Sequence, residues 1–325
     1  MEALLSAPSA ADGEFAAELE GDILILGAAG KMGPSLARRI RRALDRAGNR
    51  ARVIAVSRGA LEIEGVEHIR CDMLAPDALA GLPDVPNIYY LAARKFGSTD
   101  NPAETWAANV LLPGLVARRW RASRIVSFST GNVYPLMPVE SGGATEDTRL
   151  DPVGEYAWSA VGRERMFDYA ARAYGTPVTL LRLNYACEMR YGVLVDIATK
   201  IGDGTPVDLS MGYVNVIWQG DANSVCFRSL GHCAAPPFVL NLTGAETLSV
   251  RELALRLAER MGRTPVFESA PAPTALLSNA SLCHQLFGPP EVSVDQMIEW
   301  VADWVVQGGR LLGKPTKFQV RDGRF

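Results

Sequence analysis

The segment Ile23-Leu24-Ile25-Leu26-Gly27-Ala28-Ala29-Gly30-Lys31-Met32-Gly33 constrains this chain more than any other. Four apolar residues of strand type run straight into glycines spaced G-x-x-G-x-x-G. Met32, Leu36, Ile40 and Leu44 then recur at helical spacing, with Pro34 in the first turn. In that order of strand, tight turn and helix, the first glycine permits the turn and the second lets backbone approach a ligand. The third lets the helix pack closely on the strand. The helix start offers free N–H groups and a positive dipole end, so the pattern points to a dinucleotide pyrophosphate held at the turn. Gly27, Gly30, Lys31, Met32 and Gly33 are the expected contacts to that cofactor.

Further strand-like runs follow at Arg52–Val56, Ile88–Leu91, Ile125–Phe128, Val178–Leu183 and Phe238–Leu242. Helical stretches occupy Pro102–Arg121, Glu155–Tyr174, Val250–Met261 and Ser293–Val306. Strands apolar throughout, alternating with helices, predict the α/β class and a Rossmann-type, doubly wound parallel sheet. From about Cys187 the regularity loosens into turn-rich segments such as residues 202–206. The expected organisation is an N-terminal extension (1–20), a nucleotide-binding Rossmann domain (21–183) that takes back a strand from around 215–245, and a smaller C-terminal α/β domain (184–325) that is mainly substrate-binding. Arg38, Arg39, Arg41, Arg42 and Arg46 interleave with the apolar positions of the first long helix, which reads as its solvated face.

Composition removes several classes of function. A net charge of −3 supplies no basic field for nucleic acid or an acidic membrane. No apolar run is long enough to span a bilayer, and the acidic first twenty residues lack the basic start of a signal peptide. Cys71, Cys187, Cys226, Cys233 and Cys283 are odd in number, widely spaced and free of C-x-x-C pairs, and the three histidines are scattered. Reduced thiols in a cytoplasmic protein are expected, with neither a disulfide framework nor a metal site. Lysine is scarce: of 33 Lys and Arg residues, only Lys31, Lys95, Lys200, Lys314 and Lys317 are lysine.

The second strand selects between the nicotinamide cofactors. It ends in Ser57-Arg58-Gly59, without the carboxylate that would hold the ribose 2′-hydroxyl of NAD. A hydroxyl and a guanidinium suit the 2′-phosphate of NADP, which is therefore expected. The alternative is NAD, with Glu62 or Glu64 reaching back to the ribose.

From Asp22 to about Trp304 the chain resembles the extended short-chain dehydrogenase/reductase family, the NAD(P)-dependent sugar epimerases and dehydratases. Cys71-Asp72-Met73-Leu74 resembles the family's D-[LMV] segment, which implies that Asp72 contacts the adenine amine and Met73 packs on its ring. Tyr90-Leu91-Ala92-Ala93 resembles the L-A-A that runs beneath the cofactor, which implicates Ala92 and Ala93. Asn109-Val110 resembles the family's N-V helix start, where the Asn is structural. The run from Ser127 to Tyr134 is similar to the S-[ST]-x-x-V-Y element; it implies that Thr130 hydrogen-bonds the reacting substrate oxygen, with Ser129 beside it. Tyr156 resembles the tyrosine of the family's Y-x-x-x-K helix, which exchanges a proton with the substrate and lies against the cofactor. The resemblance thus implies hydride transfer at a hydroxyl or carbonyl carbon of a sugar-like or other polar small molecule. It also implies a homodimer built through the Asn101–Arg121 and Tyr156–Tyr174 helices.

Two departures stand out. The lysine position of the catalytic helix is Ala160, and no lysine lies between Lys95 and Lys200. In the family that ammonium lowers the phenol's pKa from its ordinary value of about 10. Lys95, just after the fourth strand, is the first candidate to replace it. Arg163 is the second, on the Tyr156 stripe of the helix but about 10 Å further along its axis and expected at the surface. On the substrate side, Asn184 stands one position earlier than the family's asparagine, and the Gly-Pro turn is absent. Asn184 and Arg190 are the substrate candidates; Arg190 faces an anionic substrate group or pairs with Glu188 or Asp196. The functional reading is an NAD(P)-dependent oxidoreductase or epimerase; the alternative is an NADP-binding regulatory or scaffold protein that has lost its lysine.

Overall fold

A computed structural model describes residues 1–324 of the chain. Its centre is a seven-stranded sheet of β1 (Ile23–Leu26), β2 (Val53–Ser57), β3 (Glu67–Arg70), β4 (Asn87–Tyr90), β5 (Arg124–Thr130), β6 (Val178–Leu183) and β7 (Phe238–Leu242). The spatial order is β7-β6-β5-β4-β1-β2-β3. β1 runs parallel to β2 and to β4, with Ile23 opposite Val53 on one side and Asn87 on the other. The chain therefore winds outward in both directions from β1, and the order reverses between β1 and β4. In such sheets the crevice beyond the carboxyl ends of the two switching strands receives the ligand. Those ends are Gly27 and the segment after Tyr90.

The strands read as apolar because they are covered. Every residue of β1, β2 and β4 is buried. Leu24, Leu26, Ile54, Val56, Ile88 and Tyr90 share one core with Val116 and Phe167 of the covering helices. β3 escaped the sequence reading because Glu-His-Ile-Arg has no apolar run: its burial is partial, as at a sheet edge. The helix expected at Pro102–Arg121 is interrupted, with α-helix at Pro102–Trp106 and Leu112–Arg119 and a π-helical turn at Ala107–Leu111 between them.

Two compact units account for the chain. The first comprises Met1–Thr130, Glu155–Arg182 and Asn223–Leu240; the second comprises Gly131–Gly154, Leu183–Ala222 and the chain from Asn241 onward. Within the second unit the helices Val193–Asp203, Val250–Met261 and Val294–Val306 pack on one another.

The arginine face of the helix Gly33–Arg46 is solvated only in part: Arg42 and Arg46 are exposed, Arg38 and Arg41 are half-buried and Arg39 is buried. The first twenty residues fold over it, in part as the helix Ala10–Glu18. Arg38 pairs with Glu2 at 2.9 Å, Arg42 donates to the Ser6 hydroxyl at 2.7 Å, and Arg46 donates to the Pro8 carbonyl at 2.8 Å. Arg39, only 4% exposed, meets the fully buried Asp12 at 2.7 Å. Amphipathic spacing assigns charges to water; here a short acidic segment of the same chain takes part of that place, most fully at Arg39.

Candidate active site

The glycine turn is sterically closed to anything larger. A Cβ on Gly27, whose φ is +86°, would lie 2.6 Å from the Ala92 backbone nitrogen. One on Gly33 would lie 2.2 Å from the Ala28 carbonyl oxygen. The turn is thus pressed against the start of the segment after β4 and against its own helix, while Gly30 is exposed and Lys31 and Met32 are half-buried. This backbone cradle fits a dinucleotide pyrophosphate at the helix start.

The segment after β4 then leads to Tyr156. Asn109, fully buried in the π-helical turn, accepts from the Arg94 N–H and donates to the Arg94 carbonyl, both at 2.8 Å. It also donates to Ser159 Oγ at 2.8 Å, and Ser159 donates to the Tyr156 carbonyl at 2.7 Å. One asparagine therefore ties the loop bearing Lys95 to the helix bearing Tyr156, and the extra residue of a π-turn is a common way of aiming such a side chain. Gly162 allows the close approach, since a Cβ there would meet Val110 at 2.6 Å. Lys95 Nζ lies over the Tyr156 ring, 5.8 Å from its centroid.

Tyr156 is 8% exposed and its phenol hydrogen-bonds Thr130, at the end of β5. Burial pushes this phenol above its ordinary value; the Arg163 guanidinium and the Thr130 hydrogen bond pull it down in part. Ser129 turns elsewhere, donating to the Glu164 carboxylate. Glu164 in turn accepts both arms of Arg182, from Nε at 3.0 Å and Nη2 at 2.8 Å, and all three side chains are buried. Arg163 contradicts the expectation of a surface residue: it is 3% exposed and donates to the Phe128 carbonyl at 2.8 Å.

A model of the NAD dependent epimerase/dehydratase family matches residues 23–187. The chain belongs to this family. No curated protein sequence matches it. Among solved structures, the Thermus thermophilus UDP-glucose 4-epimerase complex with NAD is 20% identical, with a TM-score of 0.73 over 88% of this chain and 99% of that one. The Bacillus cereus UDP-glucuronic acid 4-epimerase in complex with NAD is 18% identical (TM-score 0.74, 88% and 99% covered). The Bacillus anthracis dTDP-glucose 4,6-dehydratase in complex with NAD is 16% identical (TM-score 0.75, 89% and 97% covered). At these identities the likeness is one of fold.

The remaining residues suggested by the family motifs are arranged as follows. Ser57 donates to the Gly59 carbonyl at 2.8 Å and lies 2.9 Å from His68 Nε2, while Arg58 is exposed. Arg70, on the unforeseen β3, donates to the Arg58 carbonyl at 3.0 Å and brings a second guanidinium to that strand end. Asp72 caps the Leu74 N–H at 3.2 Å, and Met73 packs into the sheet core. Ala92 is half-buried and Ala93 exposed. In the second unit Asn184 is 2% exposed and donates to the Leu276 carbonyl at 3.3 Å. Arg190 is paired with the buried Glu188 at 3.0 Å, one of the two roles open to it from sequence. Among the described residues, no three metal-ligating side chains cluster, and no helix is long and apolar enough to cross a membrane.

Proposed function

We propose that this member of the epimerase/dehydratase family transfers hydride at a hydroxyl or carbonyl carbon of a sugar-like or other polar small molecule, with Tyr156 exchanging the accompanying proton. The observation that carries this reading is the buried Tyr156 phenol hydrogen-bonded to Thr130. A hydroxyl pair of that kind can accept a substrate oxygen, orient it and shuttle its proton. Because burial raises the phenol, Tyr156 is protonated at neutral pH and acts first as the proton donor to a carbonyl; abstraction from an alcohol strengthens as pH rises. Lys95, over the ring, adds positive charge beside the phenol. Ser129 serves by fixing the end of β5 through Glu164.

The nicotinamide cofactor carries hydride to and from the substrate carbon when bound. Gly27, Gly30, Lys31, Met32 and Gly33 would hold its pyrophosphate, Asp72 and Met73 its adenine, and Ala92, Ala93, Lys95 and Tyr156 its nicotinamide half. We favour NADP over NAD, although the similar solved structures named above carry NAD. The end of β2 has no carboxylate, and Arg58 and Arg70 both stand there. Asn184 and Arg190 are the proposed substrate contacts. A homodimer is proposed through the exposed Trp106, Leu111, Leu115 and Tyr169, which line an apolar groove of about 680 Å³ in the first unit. Five unbridged thiols suit a reducing, cytoplasmic setting.

The test is Tyr156→Phe. Reduction or oxidation of the nicotinamide is followed by its near-ultraviolet absorbance across a panel of nucleotide sugars, free sugars and polyols. The reading expects turnover to fall by about 10²-fold or more with nucleotide affinity retained. Unchanged turnover would refute it, and nucleotide binding with no turnover of any substrate would favour a regulatory or scaffold protein.

A further inference from the structure

Arg163 has surroundings that a structural arginine lacks. It is 3% exposed, and its one hydrogen bond among the described residues is from Nη1 to the Phe128 carbonyl at 2.8 Å. Its Nε and Nη2 are buried without a partner, and no carboxylate among the described residues pairs with it. The adjacent Glu164 does not serve, since both its oxygens are taken by Arg182 and Ser129. A buried guanidinium left uncompensated is unfavourable unless negative charge forms beside it.

The helix supplies the geometry. Tyr156, Ala160 and Arg163 lie at i, i+4 and i+7, on one stripe. Helical side chains lean toward the N-terminus, so a long one at Arg163 reaches back over the turn of Ala160 toward Tyr156. Ala160, between them on that stripe, is fully buried and carries only a methyl group. We propose that Arg163 is the positioning residue that supplies Tyr156 with the fixed positive charge expected of the missing lysine. The inference rests on the reading of Tyr156 as the proton-transfer group. Thr130 reaches the phenol from β5, Lys95 lies over the ring from the loop after β4, and Glu155 in the first turn is bonded to Trp106; Arg163 acts also on the buried Tyr90 phenol of β4. Coulombic attraction from Arg163 offsets in part the effect of burial on the phenol.

The experiment places 3-fluorotyrosine at residue 156 of the full chain and follows its ionisation by ¹⁹F NMR, which needs no substrate. Arg163→Gln removes the charge and keeps an amide N–H on a shorter side chain. Its titration midpoint is expected to rise by about one pH unit or more, a tenfold loss in ionisation, while Arg163→Lys stays nearer the wild type. A midpoint unmoved in Arg163→Gln overturns the proposal, and a shift seen only in Lys95→Met transfers the role to Lys95. Should Arg163→Gln fail to fold, Ala160→Lys/Arg163→Ala restores the family's arrangement. Its midpoint is expected to match the wild type; a midpoint about one unit or more below it would mean that Arg163 gives no such help. Failure of the wider functional reading would show separately, as unchanged turnover in Tyr156→Phe.

Discussion

Replacing Asp12 by alanine should loosen the N-terminal segment from the nucleotide-binding unit. Asp12 is fully buried. One of its oxygens accepts from Arg39 Nε and Nη2, each at 2.7 Å, and from the Ser9 N–H at 2.9 Å. The other accepts from Ser224 at 2.7 Å and lies 3.5 Å from Arg228 Nε. Alanine leaves Arg39 charged, 4% exposed and without that carboxylate, and removing one partner of a buried ion pair costs about 3–5 kcal/mol. Half of a capping box is lost as well, about 1 kcal/mol more. Urea unfolding reads the sum. With a slope of about 3 kcal/mol per molar, the midpoint should fall by roughly 1–2 M with the slope unchanged. The double variant Asp12→Leu/Arg39→Met removes both charges and should recover most of the loss, because what destabilises is the stranded charge. A loss below about 1 kcal/mol for Asp12→Ala would refute the reasoning, since it would mean that Arg39 finds water or another partner when the carboxylate goes.

Gly33→Ala places a methyl group against the Ala28 carbonyl, at a position where 2.2 Å is available, so the helix start must move. Nucleotide affinity by calorimetry should fall at least about tenfold with a stability loss of about 1–3 kcal/mol. Arg58→Ala should weaken NADP by about tenfold or more and leave NAD nearly untouched, and equal effects on both would argue against a 2′-phosphate contact there. Stability should also decline in alkali. Burial raises the Cys226 thiol and brings Cys233 to about 11, and it raises the Tyr89 and Tyr156 phenols as well. Groups raised on folding hold protons that the unfolded chain releases, so their stabilisation is complete below about pH 8.5 and is lost above it, more steeply past about pH 10. Urea midpoints measured from pH 7 upward check the sign, and a flat profile through pH 11 would contradict it.

The glycine turn and the alternation of strand and helix were legible because each is a local pattern of spacing or period. What was not legible depended on pairing across distance. Nothing in Ser-Ala-Ala-Asp-Gly announces that Asp12 meets Arg39, so a helix face rich in arginine read as solvated. The stripe joining Tyr156 to Arg163 was visible, but its depth was not, because burial is set by β5 and the helices packed on it. Arg70 was missed because β3 has no apolar run to mark it as a strand. Sequence set Ser129 beside Thr130 but could not place Glu164 within its reach.

Identifying the nucleotide tests the account most directly. Purified protein is denatured, any small molecule released is identified by mass spectrometry, and the emptied, refolded chain is titrated with NADP and with NAD. The account predicts release of a nicotinamide dinucleotide, or saturable binding of NADP in preference to NAD, weakened at least about tenfold by Gly33→Ala. A folded chain that neither carries nor binds either nucleotide would contradict it.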